Sequence, residues 1–202
     1  MIVAAERSRP DVAARRATWR GEVMPGLEAG RVVFIDETAA KTNMARAHGY
    51  APRGRRLEGA APYRRWQTTT FVGAMRAGGF IAPLVVDGAM TSELFVAYVQ
   101  RVLVPELSPG DVVVLDNLSC HKRAWVREAI EGKGCTLLLL PAYSPDLNPI
   151  EMAFSKLKRL LRKAAERTVE GLWSTLGRLL DHFSPQECRN YIRHCGYAAT
   201  PS

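Results

Sequence analysis

The chain has 202 residues and a mass of 22.4 kDa, which suits one domain or one domain with a helical appendage. Hydrophobic residues make up 47% and charged residues 24%, a balance that excludes an intrinsically disordered chain. The 28 Lys and Arg against 20 Asp and Glu leave a net charge of +8, and no apolar run reaches the roughly 18–20 residues that span a bilayer.

The positive charge is concentrated. Lys41 to Trp66 holds seven basic residues and one acid, and Met152 to Arg167 holds six and one, so the rest of the chain is slightly acidic. Two concentrated basic segments favour a polyanionic partner. The apolar opening Met1–Ala5 is too short for a signal peptide. Cys120, Cys135, Cys188 and Cys195 form no C-x-x-C pair, so buried thiols in a reducing cytoplasm are expected rather than a structural zinc site.

In chain order, Arg7 to Glu22 reads as a polar, Arg-rich helix stopped at Pro25-Gly26. Arg31 to Asp36 is a near-continuous β-branched and aromatic run, the mark of a buried strand. Thr38 to Arg65 lacks periodicity, carries three Gly and two Pro, and reads as a long basic excursion. Gln67–Met75 and Phe80–Val86 form a hairpin through Ala77-Gly78-Gly79, and Thr91 to Val104 has helical spacing. A second buried strand runs from Asp111 to Asp116, a helix from His121 to Glu131, and a third buried strand from Thr136 to Leu140. A loop at Ala142–Leu147 leads into a long helix from Asn148 or Pro149 to about Arg167, and two helices follow over 168–183 and 184–195.

Buried strands separated by helices imply parallel pairing, and the hairpin makes the sheet mixed. This is the element order of a ribonuclease H-like α/β fold, a mixed sheet flanked by helices with extra C-terminal helices. The expected division is a helical lead-in at 1–30, the ribonuclease H-like domain at 31–167 and a helical extension at 168–202.

Asp36 and Asp116 each close a buried strand, at the sheet edge where ligands gather in open α/β folds. Side by side they would repel, and a hard divalent cation relieves that repulsion. Either Asp alone would serve equally as a turn cap. Asn148-Pro149-Ile150-Glu151 has the grammar of a capping box, which Ser184-Pro185-Gln186-Glu187 repeats; only its place after the third buried strand sets Glu151 beside the two Asp.

Ile35-Asp36-Glu37-Thr38, Leu115-Asp116-Asn117 with His121, and Tyr143-Ser-Pro-Asp-Leu-Asn-Pro-Ile-Glu151 resemble the three catalytic blocks of one family. These are the mariner-like DDE transposases of bacterial insertion sequences, the insertion-sequence-six-thirty group. Asp116 and Glu151 have 34 residues between them, as in that superfamily, and the resemblance runs from about Val32 to Tyr197. It implies that Asp36, Asp116 and Glu151 hold two Mg²⁺ or Mn²⁺ ions and that the chain cleaves DNA at element ends and transfers the strand to target DNA. It further implies a homodimer that pairs two ends, in a bacterial cytoplasm and on the nucleoid when bound to DNA. A helix-turn-helix region precedes the catalytic part in that family; about thirty residues before Arg31 are too few for it, so end recognition is expected from a separate or fused region.

Asn117 and His121 are candidate neighbours of the site, His121 reading equally as a first-turn helix residue. Glu37 points to the opposite face if its strand continues, and Asp146 suits a turn. Lys156, Lys158, Arg159, Arg162 and Lys163 would face outward from a stripe of Leu157, Leu160, Leu161 and Ala164 to track DNA phosphates. Arg53, Arg55, Arg56, Arg64 and Arg65, with Tyr63 and Trp66 between them, suit a nucleic-acid groove, although the two aromatics would also serve a core. The alternatives are a catalytically inactive basic DNA-binding remnant and another ribonuclease H-like nuclease.

Overall fold

The computed structural model describes residues 4–46, 48–60, 62–63, 65–117 and 124–197. Helix α1 (Pro10–Thr18) follows a short 3-10 turn, carries Pro at its start, and continues through wider and tighter turns to Gly26. Strand β1 (Val32–Lys41) comes next, then the excursion and the hairpin of β2 (Thr68–Arg76) and β3 (Gly79–Asp87). The following helix is α2 (Ser92–Tyr98), capped by the Thr91 hydroxyl and carried by a π-turn into the short α3 (Val104–Glu106). Strand β4 (Val112–Leu115), helix α4 (Ala124–Glu131) and strand β5 (Thr136–Leu139) complete the sheet. Helices α5 (Pro149–Ala164), α6 (Val169–Leu180) and α7 (Pro185–His194) close the chain.

The sheet has the order β3-β2-β1-β4-β5. β1 is antiparallel to β2 and parallel to β4, and β4 is parallel to β5, which is the mixed sheet expected from the order of elements. Side-chain alternation then divides β1 between two cores. Val33 and Ile35 pack with Phe95, Tyr98 and Val126 on one face. Val32, Phe34 and Ala40 pack with Phe154, Leu157, Leu176 and Ile192 on the other. Asp36 belongs to the second face, the one covered by α5.

Two expectations are corrected. β1 does not end at Asp36; it runs on to Lys41, because β2 keeps pairing with it after β4 has stopped at Leu115. The excursion therefore starts at Thr42, and its neck is tied by Thr42 N–H to Gln67 O at 3.1 Å and Gln67 N–H to Thr42 Oγ1 at 3.0 Å. On α5 the buried stripe is Ile150, Ala153, Phe154, Leu157 and Leu161, with Leu160 half-buried and Ala164 exposed. That set begins in the first turn, whereas the stripe read from the sequence, although helical in its spacing, covers only the second half of the helix.

The chain's two ends converge on the loop before α5. Trp19 donates to Tyr197 Oη at 3.4 Å, and Tyr197 donates to Leu147 O at 2.8 Å while its ring meets Phe34 edge-on. Cys135, Cys188 and Cys195 are buried free thiols, and Cys120 lies outside the described residues. Among the described residues no helix is long and apolar enough to cross a membrane.

Candidate active site

The parallel register pairs Val32 with Val112 and Phe34 with Val114. Continued two residues, it brings Asp36 alongside Asp116, which follows β4 directly. Asn148 is the N-cap residue of α5, so Glu151 falls in the first turn, above the same edge. Asp36, Asp116, Asn117 and Glu151 line one cleft of about 380 Å³, walled further by Leu140–Pro145 and Asn148. His121 lies outside the described residues.

Asp36 is the most enclosed of the three carboxylates, with 8% of its surface exposed. Its Oδ1 accepts the Glu37 backbone N–H at 2.8 Å and its Oδ2 accepts Asn148 Nδ2 at 3.0 Å. Burial, then the charge of Glu151, pushes the Asp36 carboxyl up to about 8; the Glu37 N–H opposes this and Asp116 adds to it. Glu151 is raised as well, by desolvation in the cleft first, with Lys158 pulling it down and Asp116 pushing it up. Glu37 lies on the other face, where its charge adds to the burial that raises the Tyr98 phenol.

Asn148 departs from the capping grammar of its sequence. Its side chain caps no backbone N–H of α5 and is turned to Asp36, and its Oδ1 is buried with no hydrogen-bond partner among the described residues. At the matching Ser184 the hydroxyl does accept the Glu187 N–H, at 3.3 Å. Asn148 is thus a cleft residue that sequence reasoning missed, since its local pattern signals only a helix start.

Asp36, Asp116 and Glu151 offer hard oxygen donors whose mutual repulsion a divalent cation would relieve, and the unpartnered Asn148 Oδ1 is a further oxygen beside them. The donor set fits Mg²⁺ or Mn²⁺. Among the described residues no three His, Cys, Asp or Glu side chains already stand close enough to enclose one ion, so the carboxylates share the cleft without being drawn together.

Asp146 has a structural place. Its Oδ2 accepts from Arg7, Arg16 and Arg20 at 3.1, 2.8 and 2.9 Å, which ties α1 and its flanks to the loop before α5. Burial pushes its carboxyl up, but the Arg16 hydrogen bond and the charges of Arg16 and Arg7 outweigh this and hold it below its ordinary value.

The two basic segments meet in space. Arg46, His48, Tyr50 and Leu57 of the excursion wall one cavity with Arg162, Lys163 and Arg167 of α5 and its end. Arg167 fastens the excursion's start by donating to Thr42 O and Met44 O. Arg53, Arg55, Arg56 and Arg65 are exposed, and Tyr63 and Trp66 are exposed rather than part of a core; Arg64 lies outside the described residues. Lys158, Arg159, Arg162 and Lys163 are exposed or half-exposed on α5. Lys156 turns inward instead. Its ammonium donates to His182 O at 2.8 Å and to Glu187 at 2.6 Å, and it sits 4.5 Å over the Phe183 ring.

A mixed sheet in this strand order, with carboxylates from β1, the end of β4 and the start of α5 in one cleft, defines a ribonuclease H-like domain with an acidic site. The chain belongs to the DDE superfamily endonucleases, whose family pattern matches residues 31–172. It is similar to a Mos1 mariner transposase paired-end complex with Mg, with a TM-score of 0.75 at 20% identity over 96% of this chain and 61% of that one. The Mos1 catalytic domain alone gives a TM-score of 0.65 at 16% identity, covering 95% of this chain and 88% of that one. The Mos1 strand transfer complex gives 0.73 at 21% identity, covering 92% and 57%. These likenesses establish the ribonuclease H-like fold. The chain spans 58% of the length of the Mos1 protein in a pre-cleavage transpososome. No curated protein matches the sequence.

Proposed function

We propose that this chain is the catalytic part of a mariner-like DDE transposase of a bacterial insertion sequence, cleaving DNA at the element's ends and joining the freed strands to target DNA. The observation that carries this reading is the gathering of Asp36, Asp116 and Glu151, from three separate elements, into one cleft. The catalytic unit would be residues 31–167, preceded by a helical lead-in at 1–30 and followed by a helical extension at 168–202.

Asp36, Asp116 and Glu151 would hold two Mg²⁺ or Mn²⁺ ions. Such a pair supplies activation of the attacking oxygen and stabilisation of the leaving oxygen in an in-line displacement at phosphorus. The remaining work belongs to the protein. The Glu37 N–H and the Asn148 amide hold the Asp36 carboxylate from two sides. Glu151 sits on a rigid helix anchored by Ile150, Ala153 and Phe154 in the core. Hydrolysis and strand transfer are both displacements at phosphorus, with water or a DNA 3′-hydroxyl as nucleophile, so one cleft serves both.

DNA is the proposed partner. Arg46 of the excursion shares a cavity wall with Arg162, Lys163 and Arg167, and these with the exposed Arg53, Arg55, Arg56, Arg65 and Arg159 and the half-exposed Lys158 are suited to a phosphate backbone. Pairing two ends calls for a dimer, and reading their sequence calls for a helix-turn-helix region, separate or fused. A cytoplasmic, nucleoid-associated location follows from that role.

The test is cleavage of duplex DNA carrying the terminal repeats that flank the reading frame, with Mg²⁺ or Mn²⁺. Metal-dependent nicking at the repeat boundary, lost in Asp116→Ala, is the expected result. Salt-sensitive binding with no metal-dependent product would make the chain a DNA-binding remnant. Cleavage indifferent to the repeats and selective for a branched substrate would make it another ribonuclease H-like nuclease.

A further inference from the structure

Beside the carboxylate cleft lies a second cavity, of about 690 Å³, for which the chemistry above has no use. Arg7 and Arg20, Tyr143, Met152 and His194 are among its walls, and Tyr143, Pro145 and Glu151 line both this cavity and the cleft. Its size is that of a site for a small organic ligand.

Its charge is unbalanced. Three guanidiniums converge on the single Oδ2 of Asp146, and with the Glu151 carboxylate on the same cavity wall one positive charge is left over. Arg16 is buried and donates to Ser144 Oγ at 2.7 Å as well as to both oxygens of Asp146. Arg7 and Arg20 differ from it. Among the described residues each makes one hydrogen bond, to Asp146, and each retains further N–H donors at the cavity wall. A guanidinium fork matches the oxygens of a phosphate in shape and in charge.

Tyr143 supplies the other half of a nucleotide's chemistry. It holds a left-handed backbone, φ 55°, a conformation that costs a residue with a side chain and that clusters at functional sites. Tyr143 as a whole is 44% exposed, on the wall between the two cavities. A free aromatic face there suits stacking with a base.

We propose that this cavity is a subsite for one nucleotide of a bound DNA strand, its phosphate on Arg7 and Arg20 and its base against Tyr143. Resting on the phosphodiester chemistry proposed above, the subsite holds the nucleotide beside the one being cleaved and so sets the strand's register over Glu151. A bare phosphate would leave most of the volume and the aromatic wall unused.

The test needs neither metal nor catalysis. The full chain, labelled with ¹³C at its methionine methyls, is titrated with deoxyadenosine monophosphate and, separately, with inorganic phosphate. The Met152 methyl resonance, assigned with Met152→Leu, shifts saturably with the nucleotide, while that of Met75, buried in the core, does not. Arg20→Gln, at an exposed position, weakens the nucleotide about tenfold. Tyr143→Asn, which tolerates the left-handed backbone, weakens the nucleotide but not inorganic phosphate, and Tyr143→Phe retains the affinity. A Met152 methyl that neither probe moves, or unchanged affinity in Arg20→Gln, overturns the subsite. Equal affinity for both probes with no effect of Tyr143→Asn overturns its assignment to a nucleotide. Binding of the nucleotide by a chain that never cleaves DNA would sink the transposase reading and leave the subsite standing, and cleavage without that binding would do the reverse.

Discussion

Asn148 Nδ2 donates to Asp36 Oδ2 across 3.0 Å, so the residue that opens α5 holds the carboxylate at the centre of the sheet. The two are 112 residues apart in the chain, and the bond fastens the helix bearing Glu151 to the strand bearing Asp36. Asn148→Ala removes that support while leaving the helix's Pro start and its buried stripe in place. We expect a loss of about 10–100-fold in metal affinity or in cleavage rate, the range for partners that orient metal ligands. Mg²⁺ titration of single-turnover cleavage measures it, and a drop no larger than that of an exposed alanine substitution elsewhere on α5 would refute it.

Asp36 is buried beside two further carboxylates, a cost the metal-free fold bears. Asp36→Asn keeps an oxygen for Asn148 and removes the charge. The metal-free variant should melt about 2–4 °C higher than the parent, equivalent to about 1 kcal/mol for a chain of this size. It should also cleave no DNA. Added Mg²⁺ should raise the melting temperature of the parent and leave the variant's unchanged, a difference that thermal denaturation reads directly.

Asp146 is held below its ordinary pKa against the pull of burial, so its ionised form favours the folded state. That stability is present above the unfolded-state value near pH 4 and is lost as the pH falls through the lower folded value. Asp146→Ala strands the buried Arg16 without its carboxylate and should cost about 3 kcal/mol at neutral pH. The melting temperature should fall by about 6–12 °C. The gap between parent and variant should close below about pH 4; a gap constant from neutral pH to pH 3 would show that the arginines do not act through this charge.

The cations of α5 should separate by role. Arg159→Gln and Arg162→Gln should each lower the slope of log affinity for DNA against log salt by about one and leave the melting temperature nearly unchanged. Lys156→Gln should do the opposite, because its ammonium is committed to Glu187, His182 O and the Phe183 ring. A salt slope that falls equally in all three variants would contradict that division.

Much of the fold was legible because its signals are local. The continuous apolar runs at Arg31–Asp36, Asp111–Asp116 and Thr136–Leu140 became three parallel neighbours, and the Gly78-Gly79 turn became the hairpin. The true end of β1 was hidden, since Thr38–Lys41 has no apolar alternation and is strand only because β2 lies beside it. The carboxylates could be placed from their strand and helix contexts, but Asn148 could not. Its sequence pattern is the same as that at Ser184, and what distinguishes them is a carboxylate distant in the chain. Lys156 and Asp146 were obscured in the same way, their partners lying 31 and about 130 residues off.

The loop before α5 takes its supports from across nearly the whole polypeptide. Arg16 reaches Ser144 over 128 residues, and Trp19 reaches Tyr197, which holds Leu147, over 178. Contacts that close loops of such length carry the largest closure entropy and reward the chain only after the sheet and its local helices exist. The supports of the acidic cleft are therefore expected to assemble late in folding. On the proposed reading, a partly folded chain with its sheet in place but its ends undocked would offer DNA its basic surface and lack the geometry to cut it.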